Sequence, residues 1–298
     1  MAVLVTRPWF GLRRVVGWGQ ASRRQPITVT LGALCALSIV AGGALAAAGV
    51  GKAGPFAPPA PASANRALAA AWIAQQASPG VTVSCDPAMC RRLRADGLPA
   101  VRVKPLPPVA SSPLGSVLIV STPVVRSQFG ARLAAAYAPL VIAGFGAGAE
   151  RVDVRVIAPD GAAAFESKLA AEHAFLLSAG AQLLRDQNIQ AAPAARAVLL
   201  AGGADSRLLA TLSVLAAGMP VQLEAFDDPQ PEASSAVPLR GAEIGTSSAA
   251  GISAVLAFLH AQQGAYRPTE VAVVRAANGQ RLVSVRFGAP GLMDAGAS

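Results

Sequence analysis

The apolar residues of this chain recur in two patterns, one helical and one alternating. Leu68 and Trp72 lie one helical turn apart, whereas Val152 and Val154 flank a charged residue in the alternation of a half-buried strand. Helices are predicted at residues 65–77, 87–96, 124–137, 160–185, 193–200, 205–216 and 247–263. Strands are predicted at residues 81–84, 117–120, 140–145, 152–156, 189–191, 221–226, 269–275 and 281–287.

Strands that alternate with helices predict the α/β class, with α+β as the alternative. The long helix that ends near Gln187 divides the region into two predicted subdomains, residues 65–187 and 188–290. Residues 291–298 are predicted to form a disordered tail.

Residues 27–50 form an uncharged, apolar run. A helix of that length reaches about 36 Å, enough to cross a hydrocarbon core of roughly 30 Å. The preceding residues 1–26 contain five arginines and no acidic residue, which predicts a cytoplasmic N-terminus. The sequence therefore predicts a single-pass plasma-membrane protein that contacts lipid through residues 27–50. A Pro/Ala linker at residues 51–64 would lead to an extracytoplasmic region.

A cleaved signal peptide is the alternative, with small-residue processing sites at residues 46–48 or 62–64. The basic segment and the apolar run are both longer than is usual for a signal peptide, which favours an anchor. Both alternatives place residues 65–298 outside the cytoplasm.

The net charge of +9 does not by itself indicate a nucleic-acid partner. Five of the basic residues lie in residues 1–26, and the others are spread along the chain without basic runs interleaved with aromatic residues. Nucleic acid is therefore not expected among the partners.

Cys85 and Cys90 stand on either side of a predicted strand-to-helix turn. Two nearby cysteines in an exported domain favour a disulfide, with free buried thiols as the alternative. The spacing is neither that of thiol oxidoreductases nor half of a complete zinc site.

The chain contains neither a nucleophile-elbow motif nor a zinc-protease motif. Its two histidines, His173 and His260, each stand within a predicted helix. No catalytic residue and no cofactor are therefore expected.

Asp227, Asp228 and Glu232 cluster in one Pro-rich loop and could hold a hard cation, but carboxylates in such a loop are more often simply solvated. No metal is therefore expected, and the weak metal candidates of the chain are Asp227, Asp228 and Glu243. The candidate ligand-binding residues are Asp227, Arg240 and Glu243.

Several stretches resemble a family of uncharacterised actinobacterial single-pass membrane proteins. They are AAAWIAQQASPGVTVSCDPAMC, STPVVRSQFGARLAAAYAP, RVDVRVIAPDG and YRPTEVAVVR. The resemblance covers most of residues 65–290 and implies a membrane-anchored protein without a known activity.

Residues 189–244 resemble the core of zinc D-Ala-D-Ala carboxypeptidase-like domains, through AGGADSRLLATLSVLAAGMPVQLEAF and the later PLRGAEI. The positions that correspond to that family's zinc ligands are 226–227, 239–243 and 283–285. None holds a histidine, and Glu243 is at most a stand-in for the acidic ligand. Because a hydrolytic zinc needs about three protein ligands, the resemblance implies a degenerate fold without peptidase chemistry.

Together these features predict a membrane-anchored, non-catalytic binding or scaffolding protein of the cell envelope. Its expected partner is an envelope protein or a cell-wall peptide or glycan. The alternative is a metal-dependent hydrolase-like enzyme of unrecognised type that acts on cell-wall peptide. A deep pocket lined by Asp227, Arg240 and Glu243 would instead indicate small-ligand binding.

Overall fold

Two mixed sheets of five strands each form the centre of the fold. The computed structural model describes residues 61–227 and 231–291. Its helices are α1 (Pro61–Gln76), α2 (Pro87–Ala95), α3 (Pro123–Phe129), α4 (Ala162–Leu183), α5 (Pro193–Leu200), α6 (Ser206–Gly218) and α7 (Ala249–Ala261). Its strands are β1 (Val83–Cys85), β2 (Val103–Pro105), β3 (Leu118–Ser121), β4 (Leu140–Phe145), β5 (Val152–Val156), β6 (Ile189–Ala191), β7 (Val221–Asp227), β8 (Gly241–Gly245), β9 (Glu270–Arg275) and β10 (Arg281–Arg286). The predicted α/β class is confirmed.

The turn between β1 and α2 shows how the sequence sets an element boundary. Asp86 accepts hydrogen bonds from the backbone N–H groups of Ala88 and Met89, at 2.9 and 3.0 Å, and Pro87 occupies the first helical turn. The side-chain oxygen thereby satisfies donors that a helix start leaves unpaired. Thr122, which caps α3, donates its hydroxyl to the same Asp86 carboxylate at 2.5 Å.

The predicted disulfide between Cys85 and Cys90 is present, with the two Cα atoms 5.4 Å apart. It joins the last residue of β1 to the first turn of α2, and both residues are buried. The bond therefore fixes the same strand-to-helix turn that Asp86 caps.

The first sheet has the strand order β2-β1-β3-β5-β4 and is covered on both faces. Strand β1 runs parallel to β2 and β3, whereas β5 runs antiparallel to β3 and β4. Helices α1 and α2 pack on the face that carries Val152, Val154 and Val156. Helix α3 packs on the opposite face, against Ile119 and Ile157.

The second sheet has the strand order β6-β7-β8-β10-β9, and all its pairs except β6–β7 are antiparallel. Helices α5, α6 and α7 and the C-terminal part of α4 pack on one face in a single cluster with Leu223, Ile244, Val283 and Val285. Side chains alternate along a strand, so Arg286 and its neighbours point the other way.

Both sheets contain the same four-element unit. In β3–α3–β4–β5 and in β8–α7–β9–β10, the last strand lies between the other two and is antiparallel to both. The hairpin registers also match, because Leu140 pairs with Val156 and Glu270 pairs with Arg286. Residue 156 of β5 therefore corresponds to residue 286 of β10.

Three local predictions are wrong. The helix predicted at residues 124–137 ends at Phe129, because Gly130 adopts φ 57° and a π-helical turn, Leu133–Tyr137, follows. Strands β2 and β8 were not predicted. Helix α1 begins at Pro61, inside the predicted linker of residues 51–64.

The first sheet ends with β5 and the second begins with β6, on either side of the division predicted near residue 187. The predicted cytoplasmic tail (1–26), the predicted transmembrane helix (27–50) and most of the linker lie outside the described residues, as does the tail beyond residue 291. Within the described part of the chain, no helix is long and apolar enough to cross a bilayer.

Candidate functional site on the second sheet

The structure brings two of the three predicted ligand-binding residues to one side of the second sheet and places the third on the other. Asp227, at the end of β7, pairs with Gly241 of β8, and Glu243 lies two residues further along β8. Residues two apart on a strand share a face, so Asp227 and Glu243 are neighbours. Arg240 precedes Gly241 and therefore lies on the opposite face.

The face that carries Asp227 and Glu243 is called the open face here. Its residues belong to none of the core clusters formed by the described helices. The open face consists of Gln222, Ala225, Asp227, Gly241, Glu243, Gly245, Glu270, Ala272, Val274, Leu282, Ser284 and Arg286.

Arg286 lies at the centre of the charged part of the open face. Its guanidinium forms ion pairs with Asp227, at 3.1 Å, and with Glu270 on the other side. The Arg286 side chain is only 14% exposed, whereas the two carboxylate side chains are 64% and 53% exposed. The pairing therefore leaves two carboxylates at the surface around one shielded cation.

Gly241 makes this arrangement possible. It stands between Asp227 and Arg286 in the cross-strand row, and a Cβ at this position would overlap the carbonyl oxygen of Asp227 and lie 3.6 Å from Nε of Arg286. A side chain here would therefore force β8 away from the backbone of β7.

Glu243 adds a third carboxylate in the next row. Its cross-strand neighbours are Ala225 and Ser284, and Ala272 follows in the same row. These small side chains leave the half-buried carboxylate accessible from above. Glu243 forms no ion pair with any residue that the structure describes, so acidic groups outnumber basic groups on the open face.

The weak metal candidates do not form a cluster within the described residues, where no three His, Cys, Asp or Glu side chains converge. Asp227 directs its carboxylate to Arg286. Asp228 lies outside the described residues.

Arg240 is a buried bridge between the two halves of the fold. It is 2% exposed, its guanidinium carbon lies 5.8 Å from the centre of the Trp72 ring, and its Nη1 donates to the Phe287 carbonyl at 3.3 Å. A cation over an aromatic face is stabilised by the ring quadrupole. This accounts for an arginine in the core without assigning it a ligand.

A groove opens near Arg240, between α4 and residues 235–238. Its cavity has a volume of about 280 Å³ and is lined by Leu169, Leu176 and Pro238, with His173 at its side. Neither Asp227 nor Glu243 lines it, and Arg240 lines only a smaller adjoining pocket. Neither of these two cavities is lined by all three candidate residues, which is the arrangement that would have indicated small-ligand binding.

The positions assigned to zinc ligands by the peptidase-like resemblance do meet in space. Phe226, Ala242 and Val285 lie side by side on adjacent strands β7, β8 and β10. All three side chains face the helices and are apolar, so this row belongs to the core.

Sequence reasoning missed Arg286, Glu270 and Gly241. The predicted strands contained Glu270 and Arg286, but nothing in the sequence indicated that β8 would separate β7 from β10. The pairing of distant strands decides which charges meet, and no local pattern carries that information.

The fold and this surface define an α/β protein with a duplicated β-α-β-β unit and an acidic, uncapped sheet face. Comparison of the chain with protein-family models, curated proteins and solved structures finds no match.

Proposed function

We propose that the protein is a membrane-anchored, non-catalytic binding protein of the cell envelope, which engages its partner through the open face. Residues 27–50 would hold it in the plasma membrane, with residues 1–26 in the cytoplasm and the α/β region outside. The Cys85–Cys90 disulfide supports an oxidising location, because such bonds persist mainly outside the cytoplasm.

The observation that carries this proposal is the contrast between the two copies of the repeated unit. In the first sheet, the face opposite α3 carries Val152, Val154 and Val156 and is covered by α1 and α2. The corresponding face of the second sheet carries Leu282, Ser284 and Arg286 and has no such cover among the described helices. Leu282 is buried, whereas Ser284 and Arg286 are half-buried. The polar end of this face is thus a surface in the second unit, where the first unit uses the equivalent face for internal packing.

The charges of the open face indicate the chemistry of the partner. Asp227 and Glu270 share one guanidinium, and Glu243 stands beside them without a described cation. A partner with an ammonium or guanidinium group would place it at Glu243, where small neighbours permit close approach. Hydrogen bonds between a cation and a carboxylate are stronger than those between neutral groups. A basic segment of an envelope protein or an amine of a cell-wall peptide fits this description.

A site-specific photocrosslinking experiment on the full-length protein in its membrane tests the proposal. A photoreactive residue at Ala272, on the open face, should give a discrete adduct that weakens with added salt. The charge reversal Glu243→Arg should abolish the adduct, whereas Glu166→Arg, at an exposed glutamate of α4, should not. An adduct that is insensitive to Glu243→Arg would remove the open face from the proposal.

The alternative of a metal-dependent hydrolase is separated by metal analysis of the purified protein. The hydrolase alternative requires the Asp227 carboxylate to bind a metal ion in place of its ion pair with Arg286. Stoichiometric zinc or calcium, lost on Glu243→Gln, would replace the binding proposal with the hydrolase.

A further inference from the structure

The outer edge of β9 offers unpaired backbone groups to another strand. In the β10–β8 pair, the Phe287 N–H donates to the Arg240 carbonyl at 2.9 Å, and in the β9–β10 hairpin the Ala276 N–H donates to the Gln280 carbonyl at 2.9 Å. Hydrogen-bonded positions alternate along antiparallel strands. Both bonds show that the even-numbered residues of β9 direct their backbone N–H and C=O groups toward β10. The N–H and C=O groups of β9 that point away from β10 are therefore those at positions 271, 273 and 275.

The other three sheet edges are short or covered. Strands β2 and β6 have three residues each, and β2 ends in Pro105. The edge of β4 is covered by residues 231–234, since Gly144 donates to the Pro231 carbonyl at 2.7 Å and Ser234 donates to the Val141 carbonyl at 3.0 Å. Natural sheets protect their edges by such means, because an open strand recruits another.

Strand β9 has none of these protections among the described residues. It is six residues long, contains no proline and forms no bulge with β10. Its counterpart in the repeated unit is β4, whose edge exchanges two backbone hydrogen bonds with the turn at residues 231–234. In the first sheet the backbone groups of this edge are therefore partly satisfied by the chain itself, whereas no such segment lies along β9 among the described residues.

We propose that the β9 edge pairs antiparallel with β9 of a second copy of this chain, about a twofold axis at Val273. In this register position 271 of one copy faces position 275 of the other, and Val273 faces itself. Every outward-pointing group then meets an outward-pointing group, for about six hydrogen bonds across the axis. This dimer is independent of the partner assigned to the open face.

The side chains of β9 suit its own copy. Val273 is 41% exposed at the centre of the strand, and β-branched residues pair well across strands. Glu270 and Arg275 lie at opposite ends of the strand, so antiparallel pairing places the acidic end of one copy beside the basic end of the other, with the two side chains on opposite faces of the sheet. Residues that face each other across two strands lie on the same side of the sheet, and positions 271 and 275 lie on the same side of β9. The open faces of the two copies therefore lie on the same side of one ten-stranded sheet.

The test uses the full-length protein in mild detergent and measures its mass in solution. Wild type should be a dimer, and Val273→Lys and Val273→Glu should each be monomeric, because like charges would meet at the axis. An equimolar mixture of the two variants should recover a dimer. The matched control is Val214→Lys on α6, at a valine that is 57% exposed, which should leave the dimer intact.

Circular dichroism should show equal folding of all variants, because the side chain of Val273 is exposed. A monomeric wild type at tens of micromolar, or dimers that persist in both single variants without exchange, would overturn the proposal. A crosslink from position 273 to a different protein, with wild type monomeric, would assign the edge to that protein and would equally reject the second copy.

Discussion

The buried ion pair between Asp205 and Arg207 offers the sharpest test of how the second half of the fold is held together. Both side chains are 3% exposed. Arg207 donates from Nε and Nη2 to the two carboxylate oxygens of Asp205, each at 2.9 Å, and from Nη2 to the Gly288 carbonyl at 2.8 Å. Its guanidinium carbon also lies 5.1 Å from the centre of the Phe287 ring. The pair thus links the start of α6 to the segment that follows β10.

We expect Asp205→Ala to destabilise the fold by about 3–5 kcal/mol, because it leaves the buried guanidinium of Arg207 without its counterion. The same change removes the N-terminal cap of α6, which accepts the Arg207 backbone N–H at 2.8 Å and contributes about 1 kcal/mol of that total. In a fold of this size each kcal/mol lowers Tm by roughly 2–4 °C, so the decrease should be about 6–20 °C.

The double variant Asp205→Ala/Arg207→Met separates the charge from the cap. It removes both ions, so most of the desolvation cost disappears and the loss should fall to about 1–2 kcal/mol. The matched control is Asp160→Ala, which breaks the ion pair with Lys168 where the side chains are 64% and 63% exposed. That change should cost less than about 1 kcal/mol.

Urea unfolding followed by circular dichroism measures these differences, provided that all variants share one m-value. The reasoning fails if Asp205→Ala costs no more than Asp160→Ala. It fails equally if the double variant is as unstable as the single one, because the buried charge would then not be the cause.

Three further changes have defined outcomes. Gly241→Ala should destabilise by about 1–3 kcal/mol or more, because its Cβ overlaps the backbone of the adjacent strand; thermal unfolding checks this. Cys85→Ser/Cys90→Ser should cost about 2 kcal/mol for a loop this short, and reduction of the wild type should match it in urea titrations. Trp72→Ala should cost about 3–5 kcal/mol because the ring is 7% exposed, whereas Leu68→Ala, at a leucine that is 57% exposed, should change the urea midpoint little.

Elements with a strong local signal were predicted from the sequence. The helix after Asp86 and Pro87 starts where the cap places it, and the hairpin around Asn278 and Gly279 joins two β-branched runs that fold as β9 and β10. In each case neighbouring residues both supply the signal and satisfy it. The cysteine pair belongs to this group, since five positions separate its members.

Strand β8 had no such signal. It is Gly-Ala-Glu-Ile-Gly, and glycine at both ends weakens any strand pattern. The glycine at position 241 is explained by tertiary contacts, because it lies against the backbone of Asp227 and under the Arg286 side chain. A strand whose composition is set by close approach to its neighbours can be found only once those neighbours are in place.

The register of the repeated unit explains why the open face could not be predicted either. The sequence aligns Val152-Asp153-Val154-Arg155 with Val283-Ser284-Val285-Arg286, but the sheets align residue 156 with residue 286, one position away. A shift of one residue exchanges the two faces of a strand.

Two arginines that are equivalent in the sequence alignment therefore lie on opposite faces of their sheets. Arg155 faces α3 and donates to the Ala138 carbonyl at 2.9 Å, and burial lowers its pKa from the ordinary value. Arg286 faces outward between Asp227 and Glu270. The first arginine holds a loop in place, whereas the second organises the surface through which we propose that the protein binds. That surface follows from the register of β10 and not from its composition.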